Sequence, residues 1–155
     1  MPKKLALIAS KGSLDWAYPP FILASTAAAL DYEVQIFFTF YGLTLLKKDL
    51  SDLRVSPLGN PAMPMPVPMP NFAQLLPGME SMATMMMKQK IASKGVVSIE
   101  ELRTLCVEAN VKLIACQMTV DLFDFKTTDF IDNIEYGGAA TFFEFAGESD
   151  VSLFI

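Results

Sequence analysis

Glu33-Val-Gln-Ile-Phe-Phe-Thr-Phe40 is β-branched and aromatic almost without interruption, and reads as a strand buried on both faces. Ahead of it, Trp16 to Leu30 has an Ala-rich body with Pro19 and Pro20 near its start. That stretch reads as a helix, because proline is tolerated in a first turn. Further upstream, Lys4-Leu-Ala-Leu-Ile-Ala-Ser10 is a short apolar run stopped by Lys11-Gly12-Ser13, and reads as another buried strand. Strand, helix, strand in that order, with near-continuous apolar strands, indicates an α/β protein whose parallel sheet is covered on both faces.

Downstream, Gly42–Lys48 reads as a helical turn or two. From Gly59 to Pro70, proline alternates with Met and small residues (Pro61, Pro64, Pro66, Pro68, Pro70), which excludes helix and central strand. Asn71 can cap a short turn ending at Pro77-Gly78. Met79 to Ala92 predicts a helix with Met79, Met82, Ala83 and Met86 on one face. Ser98-Ile-Glu-Glu101 has the pattern of a capping box, opening a helix to Asn110 with Leu102, Leu105, Cys106 and Ala109 on its apolar side. Val111-Lys-Leu-Ile-Ala-Cys116 is the next buried strand. Thr119–Phe123 and Thr128–Phe130 read as short helical pieces, Gly137–Ala146 as a helix, and Asp150–Ile155 as a strand. There is no internal repeat.

Composition narrows the function. The 155 residues carry 12 Lys plus Arg against 17 Asp plus Glu, a formal charge of −5. That balance argues against a nucleic-acid partner, which a basic stripe would announce. Charged residues are only 19%, against roughly 25% in an average domain. So low a charge density predicts a large core and an apolar surface shared with copies of the same chain. The absence of His removes the commonest general base and every His-based zinc site. Leu5-Ala-Leu-Ile-Ala9 is too short for a signal peptide's apolar region. Other apolar runs fall short of the roughly 17 residues that span a bilayer, or are broken by proline. The expectation is a cytoplasmic protein with no membrane span, no metal and no cofactor.

In open parallel sheets, ligands bind beyond the carboxyl ends of the strands. Three loops qualify: Ser10-Lys11-Gly12-Ser13, Tyr41-Gly42, and Cys116-Gln117-Met118. Cys116 ends a buried strand just ahead of a helix start, where N–H groups favour the reactive thiolate. It reads either as a reactive thiol or as a small residue filling space. Cys106, on the stripe with Leu102 and Leu105, reads as core. The spacing of ten from Cys106 to Cys116 is neither a Cys-x-x-Cys redox pair nor a zinc knuckle. The Lys11-Gly12-Ser13 turn can bind an anion but lacks the glycines of a phosphate-binding fingerprint. The Met cluster at 63–87 has the softness for Cu(I), yet methionine at helical spacing is ordinarily core or interface filler. Asp15, Asp121, Asp132 and Glu135 read as solvated turns and caps.

Val111-Lys-Leu-Ile-Ala-Cys-Gln-Met-Thr-Val-Asp-Leu122 resembles the signature stretch of the DsrE/DsrF/DsrH-like family, in its Ala-Cys-Gln-Met subgroup. Ser10-Lys-Gly-Ser-Leu-Asp15 with Tyr18-Pro-Pro, Leu76-Pro-Gly-Met79, and Phe130-Ile-Asp-Asn-Ile-Glu-Tyr-Gly-Gly138 agree with it, in the right order. The resemblance implies a three-layer α/β/α sandwich around a central, mainly parallel sheet of about five strands. It implies a single domain over residues 1–155, with a Pro/Met-rich insertion at about 57–92. It implies a sulfur carrier or sulfurtransferase holding sulfane sulfur as a persulfide, or thiosulfate as a thiosulfonate, on Cys116. Cys106 resembles the second Cys of some members, and the expected partner is a TusA-like or rhodanese-like sulfur-transfer protein. Homo-oligomers are also implied. Such chemistry needs no His, because a thiolate attacking sulfur needs access and a suitable pKa rather than a separate base.

Two other readings stand beside this one. The chain can be a non-catalytic module binding a nucleotide or anion at the Lys11–Ser13 rim, with Ser10, Tyr41, Gln117 and Met118 nearby and both thiols inert. It can also be a thiol redox protein cycling a Cys106–Cys116 bridge.

Overall fold

The computed structural model describes residues 1–55 and 76–155. The Gly59–Pro70 run and the Asn71 cap lie outside them. The chain order is β1 (Lys4–Ala9), α1 (Leu14–Ala29), β2 (Glu33–Phe38), a 3-10 helix (Phe40–Leu46), α2 (Met79–Ser93) and α3 (Ile99–Glu108). It continues through β3 (Lys112–Cys116), α4 (Gln117–Leu122), a 3-10 turn (Thr127–Asp129), β4 (Glu135–Gly137), α5 (Ala139–Ala146) and β5 (Val151–Phe154).

All five strands are parallel, in the order β4-β3-β2-β1-β5. The mixed α/β fold with a parallel sheet of five strands is therefore as the sequence implies. Side chains alternate across it with the period of a strand. Val34, Ile36 and Phe38 of β2 and Leu113 and Ala115 of β3 enter the larger core, under α1 and α3. Phe37, Ile114 and Cys116 point to the opposite face and pack with Ala6 and with Phe142 of α5. No helix among the described residues is long and apolar enough to cross a membrane.

Several boundaries and faces differ from expectation, each for a local reason. Helix α1 starts at Leu14 rather than Trp16, because Ser13 is already extended and its carbonyl accepts from the Ala17 N–H at 2.9 Å. Pro19 and Pro20 thus sit inside the helix instead of its first turn. The helix survives them because Ala17, Pro20, Phe21, Ala24 and Ala27 form a buried stripe at three- and four-residue spacing. Strand β2 stops at Phe38, since Phe40 takes a left-handed conformation (φ 48°) and turns the chain into the 3-10 helix.

On α2, Ala83 and Thr84 are buried and Met87 is half-buried, while Met82, Met85 and Met86 are exposed. The Thr84 hydroxyl turns that side of the helix inward: it accepts from the Val55 N–H at 3.1 Å and donates to the Glu80 carbonyl at 2.9 Å. The capping box of Ser98 and Glu101 forms as its sequence predicts. On α3, Leu105 and Ala109 are exposed and Arg103 is buried, because its guanidinium donates to the carbonyls of Leu45, Lys47 and Lys48. Gly137, expected to open a helix, ends β4 instead, and α5 begins two residues later.

Candidate site at the carboxyl rim of the sheet

Because every strand runs the same way, the segments after β1, β2 and β3 emerge on one rim. Two contacts tie them together. Gly12 lies against the Thr44 hydroxyl and the Tyr41 carbonyl, where any Cβ would collide. This close approach requires glycine and locks the β1 loop to the 3-10 helix after β2, and Gly42 is required in the same way by its approach to the Ala9 carbonyl. Between β2 and β3, the Phe40 N–H donates to Thr119 Oγ1 at 3.2 Å, and Thr39 Oγ1 lies 3.4 Å from Thr119 Oγ1.

Cys116 is the last residue of β3 and the N-cap of α4, with extended backbone. Its side chain is 5% exposed. Burial pushes its thiol upward, as removing a charge from water must. Four uncharged donors outweigh that effect: the Thr119 hydroxyl and N–H, the Thr39 hydroxyl and the Met118 N–H. The net result is a thiol below its ordinary range. Cys106 lies on the other side of the sheet, among the residues of the larger core. Its S–H donates to the Phe21 carbonyl at 3.4 Å, and burial pushes it up to about 12. Both cysteines are free.

The remaining candidates are distributed along the rim. Gln117 is exposed, and its amide donates along α4 to Asp121 at 2.8 Å. Met118 is exposed. Tyr41 is exposed and stacks on Phe123, with ring centroids 5.9 Å apart and planes 17° apart. Phe40 meets the same ring edge-on at 6.2 Å. The Ser10 hydroxyl donates to the Ile155 carbonyl at 2.9 Å, joining β1 to the residue after β5. Lys11 holds its ammonium over the Trp16 ring, 3.5 Å from the centroid. Lys11, Gly12, Ser13 and Tyr41, with Arg54 and Glu80, line a separate cavity of about 490 Å³ that Cys116 does not line. Among the described residues there is no group of three or more His, Cys, Asp or Glu side chains that could hold a metal ion.

Thr39 and Thr119 were not singled out by the sequence. The available signal was positional: Thr119 is the third residue after an N-cap, where side chain and backbone both face the cap.

A family model described as the DsrE/DsrF/DrsH-like family matches residues 1–154. This chain belongs to that family. It is 71% identical over 157 residues to the sulfur carrier protein DsrE2 of Allochromatium vinosum, covering 99% of this chain and 98% of the relative. It is also 32% identical over 162 residues to the uncharacterized protein YrkE of Bacillus subtilis, covering 99% and 97% of the two chains. Among solved structures, the ychN protein of E. coli matches with a TM-score of 0.55 at 12% identity, over 99% of each chain. At that identity the likeness speaks for the fold alone.

Proposed function

We propose that this chain is a sulfur carrier that holds sulfur on Cys116 and hands it to a partner protein. The observation carrying the reading is Cys116 itself: a strand-end thiol kept below its usual range by hydroxyl and amide donors despite burial. The name of the Allochromatium vinosum relative, a sulfur carrier protein, supports it.

The chemistry is thiolate displacement at sulfur. With a persulfide donor, the Cys116 thiolate attacks the outer sulfur, the donor's S–S bond breaks, and the donor leaves as a thiolate. With tetrathionate, the same attack leaves thiosulfate attached to Cys116 and releases a second thiosulfate. Delivery is the reverse displacement by the partner's thiolate. No redox cofactor is consumed, because one S–S bond forms as another breaks. A TusA-like or rhodanese-like protein has the thiol chemistry to be that partner. The same reading makes residues 1–155 a single domain, assembled as a homo-oligomer and working in the cytoplasm.

Mass spectrometry after incubation with polysulfide or tetrathionate tests it. The wild type is expected to gain one or more sulfur atoms, or one thiosulfate. Cys116→Ser is expected to gain nothing, and Cys106→Ser to retain loading. Full loading of the Cys116→Ser protein overturns the assignment.

A further inference from the structure

We propose that Thr119 and Thr39 are positioning residues for the Cys116 sulfur, a hydroxyl pair oriented by the Phe40 N–H so that one O–H proton is kept for the sulfur. The inference deepens the sulfur-carrier reading and rests on it for its purpose, though not for its geometry.

The argument begins with a cost. Thr119 is fully buried, and valine would fill the same volume without burying a hydroxyl. A hydroxyl at such a place is destabilising unless its bonding capacity is used. Its oxygen accepts from the Phe40 N–H at 3.2 Å. That donor is supplied by a residue with φ of 48°, a conformation that bulky L-residues avoid. The left-handed turn after β2 thus presents a fixed N–H to Thr119, and outliers of this kind gather at functional sites.

Counting protons gives the rest. Thr39 and Thr119 lie 80 residues apart in sequence and meet because β2 pairs with β3. One step beyond the pair Phe38↔Ala115, the register sets Thr39 beside Cys116. The two hydroxyls share a single hydrogen bond, 3.4 Å between oxygens, and either oxygen can donate. Since each hydroxyl has one proton, one of the two is spent inside the pair. With its oxygen already accepting from Phe40, the pair has its other proton available for the sulfur, from Thr119 in one arrangement and from Thr39 in the other. The same pair can turn round and accept from a neutral S–H. In a chain without His, this gives the sulfur a partner that suits both of its protonation states and adds no fixed charge.

The test compares variants in a Cys106→Ser background, so that Cys116 is the only thiol. Alkylation rate against pH and ultraviolet thiolate absorbance both read the midpoint, and tetrathionate uptake reads loading. Thr119→Val is expected to raise the midpoint by about one unit and to slow alkylation at neutral pH about tenfold. Thr119→Ser, which keeps the hydroxyl, is expected to titrate like the parent. Thr39→Val leaves the Phe40–Thr119 bond in place and frees the Thr119 proton for the sulfur, so it is expected to shift the midpoint less than Thr119→Val does. A folded Thr119→Val protein with the parent's midpoint overturns the inference. Should Thr119→Val not fold, a Thr119→Ala protein with the parent's midpoint overturns it equally. A parent that takes up no sulfur, while Thr119→Val still shifts the midpoint, overturns the carrier reading and supports the hydroxyl pair.

Discussion

Cys106 and Cys116 carry the same functional group into opposite surroundings. Cys106 donates to the Phe21 carbonyl, and the Ser25 backbone favours its ionisation too weakly to offset burial, so its thiol rises to about 12 from an ordinary 9.0. That rise makes stability depend on pH. Above the unfolded thiol's value, the unfolded chain sheds the proton and the native one keeps it. The contribution is therefore fully present below about pH 9 and declines as pH rises toward the folded value, by up to about 1.4 kcal/mol per pH unit. We expect urea unfolding of the wild type to show this decline between neutral and alkaline pH. Cys106→Ala should be less stable at neutral pH, by roughly 1 kcal/mol for the lost volume, and should decline less steeply. Equal slopes would show that Cys106 keeps no proton in the native state. The contrast between the thiols was legible in part: helical spacing put Cys106 inside, and the end of an apolar run put Cys116 at a rim. Thr39 and Thr119 were not legible, because their meeting depends on strand register, which no local pattern encodes.

At the level of elements, Arg103 links α3 to the 3-10 helix beside the site. Its buried guanidinium donates to the carbonyls of Leu45, Lys47 and Lys48, and no carboxylate is bonded to it among the described residues. Burial holds its proton affinity below the usual arginine range, partly offset by the charge of Glu100. Removing it strands three carbonyl groups rather than one charge pair. Arg103→Met is expected to cost about 2–4 kcal/mol in urea unfolding, and Arg103→Lys less, since an ammonium satisfies only part of the fork. Because the 3-10 helix carries Phe40 and Tyr41, the Met variant should also slow alkylation of Cys116. An Arg103→Met protein with wild-type stability would place the guanidinium in solvent. Arg103 is the reason that Leu105 and Ala109 were expected inside and lie outside: a periodicity count scores arginine as polar and turns it away from the core. Strand β4 escaped for a different reason. Three residues, Glu135-Tyr136-Gly137, make too short a pattern to show alternation, and the glycines beside it suggested a helix start.

At the scale of the molecule, apolar surface is unevenly covered. One sheet face lies under α1 and α3, whereas the other packs against the eight residues of α5, whose Phe143 stays exposed. Helix α2 turns Met82, Met85 and Met86 outward together. Eight of the ten methionines fall in residues 63–87, so the homo-oligomer is expected to use α2. Sedimentation should find the wild type as a multimer, and Met85→Glu with Met86→Glu should shift it toward smaller species. A wild type that sediments as a single subunit at micromolar concentration removes that expectation.

The pairing of β1 with β5 joins Leu5 to Val151, and the Ser10 N–H and hydroxyl both reach the Ile155 carbonyl. During synthesis, therefore, β1 leaves the ribosome long before its neighbour on that side exists. Until residue 151 emerges, the nascent chain must present one bare edge of β1, backed by Leu5 and Leu7. Non-local parallel pairing of this kind is intrinsically slow and aggregation-exposed. The sheet's last edge therefore closes only after nearly 150 residues separate the two strands, and β1 stays open to wrong partners for that whole interval.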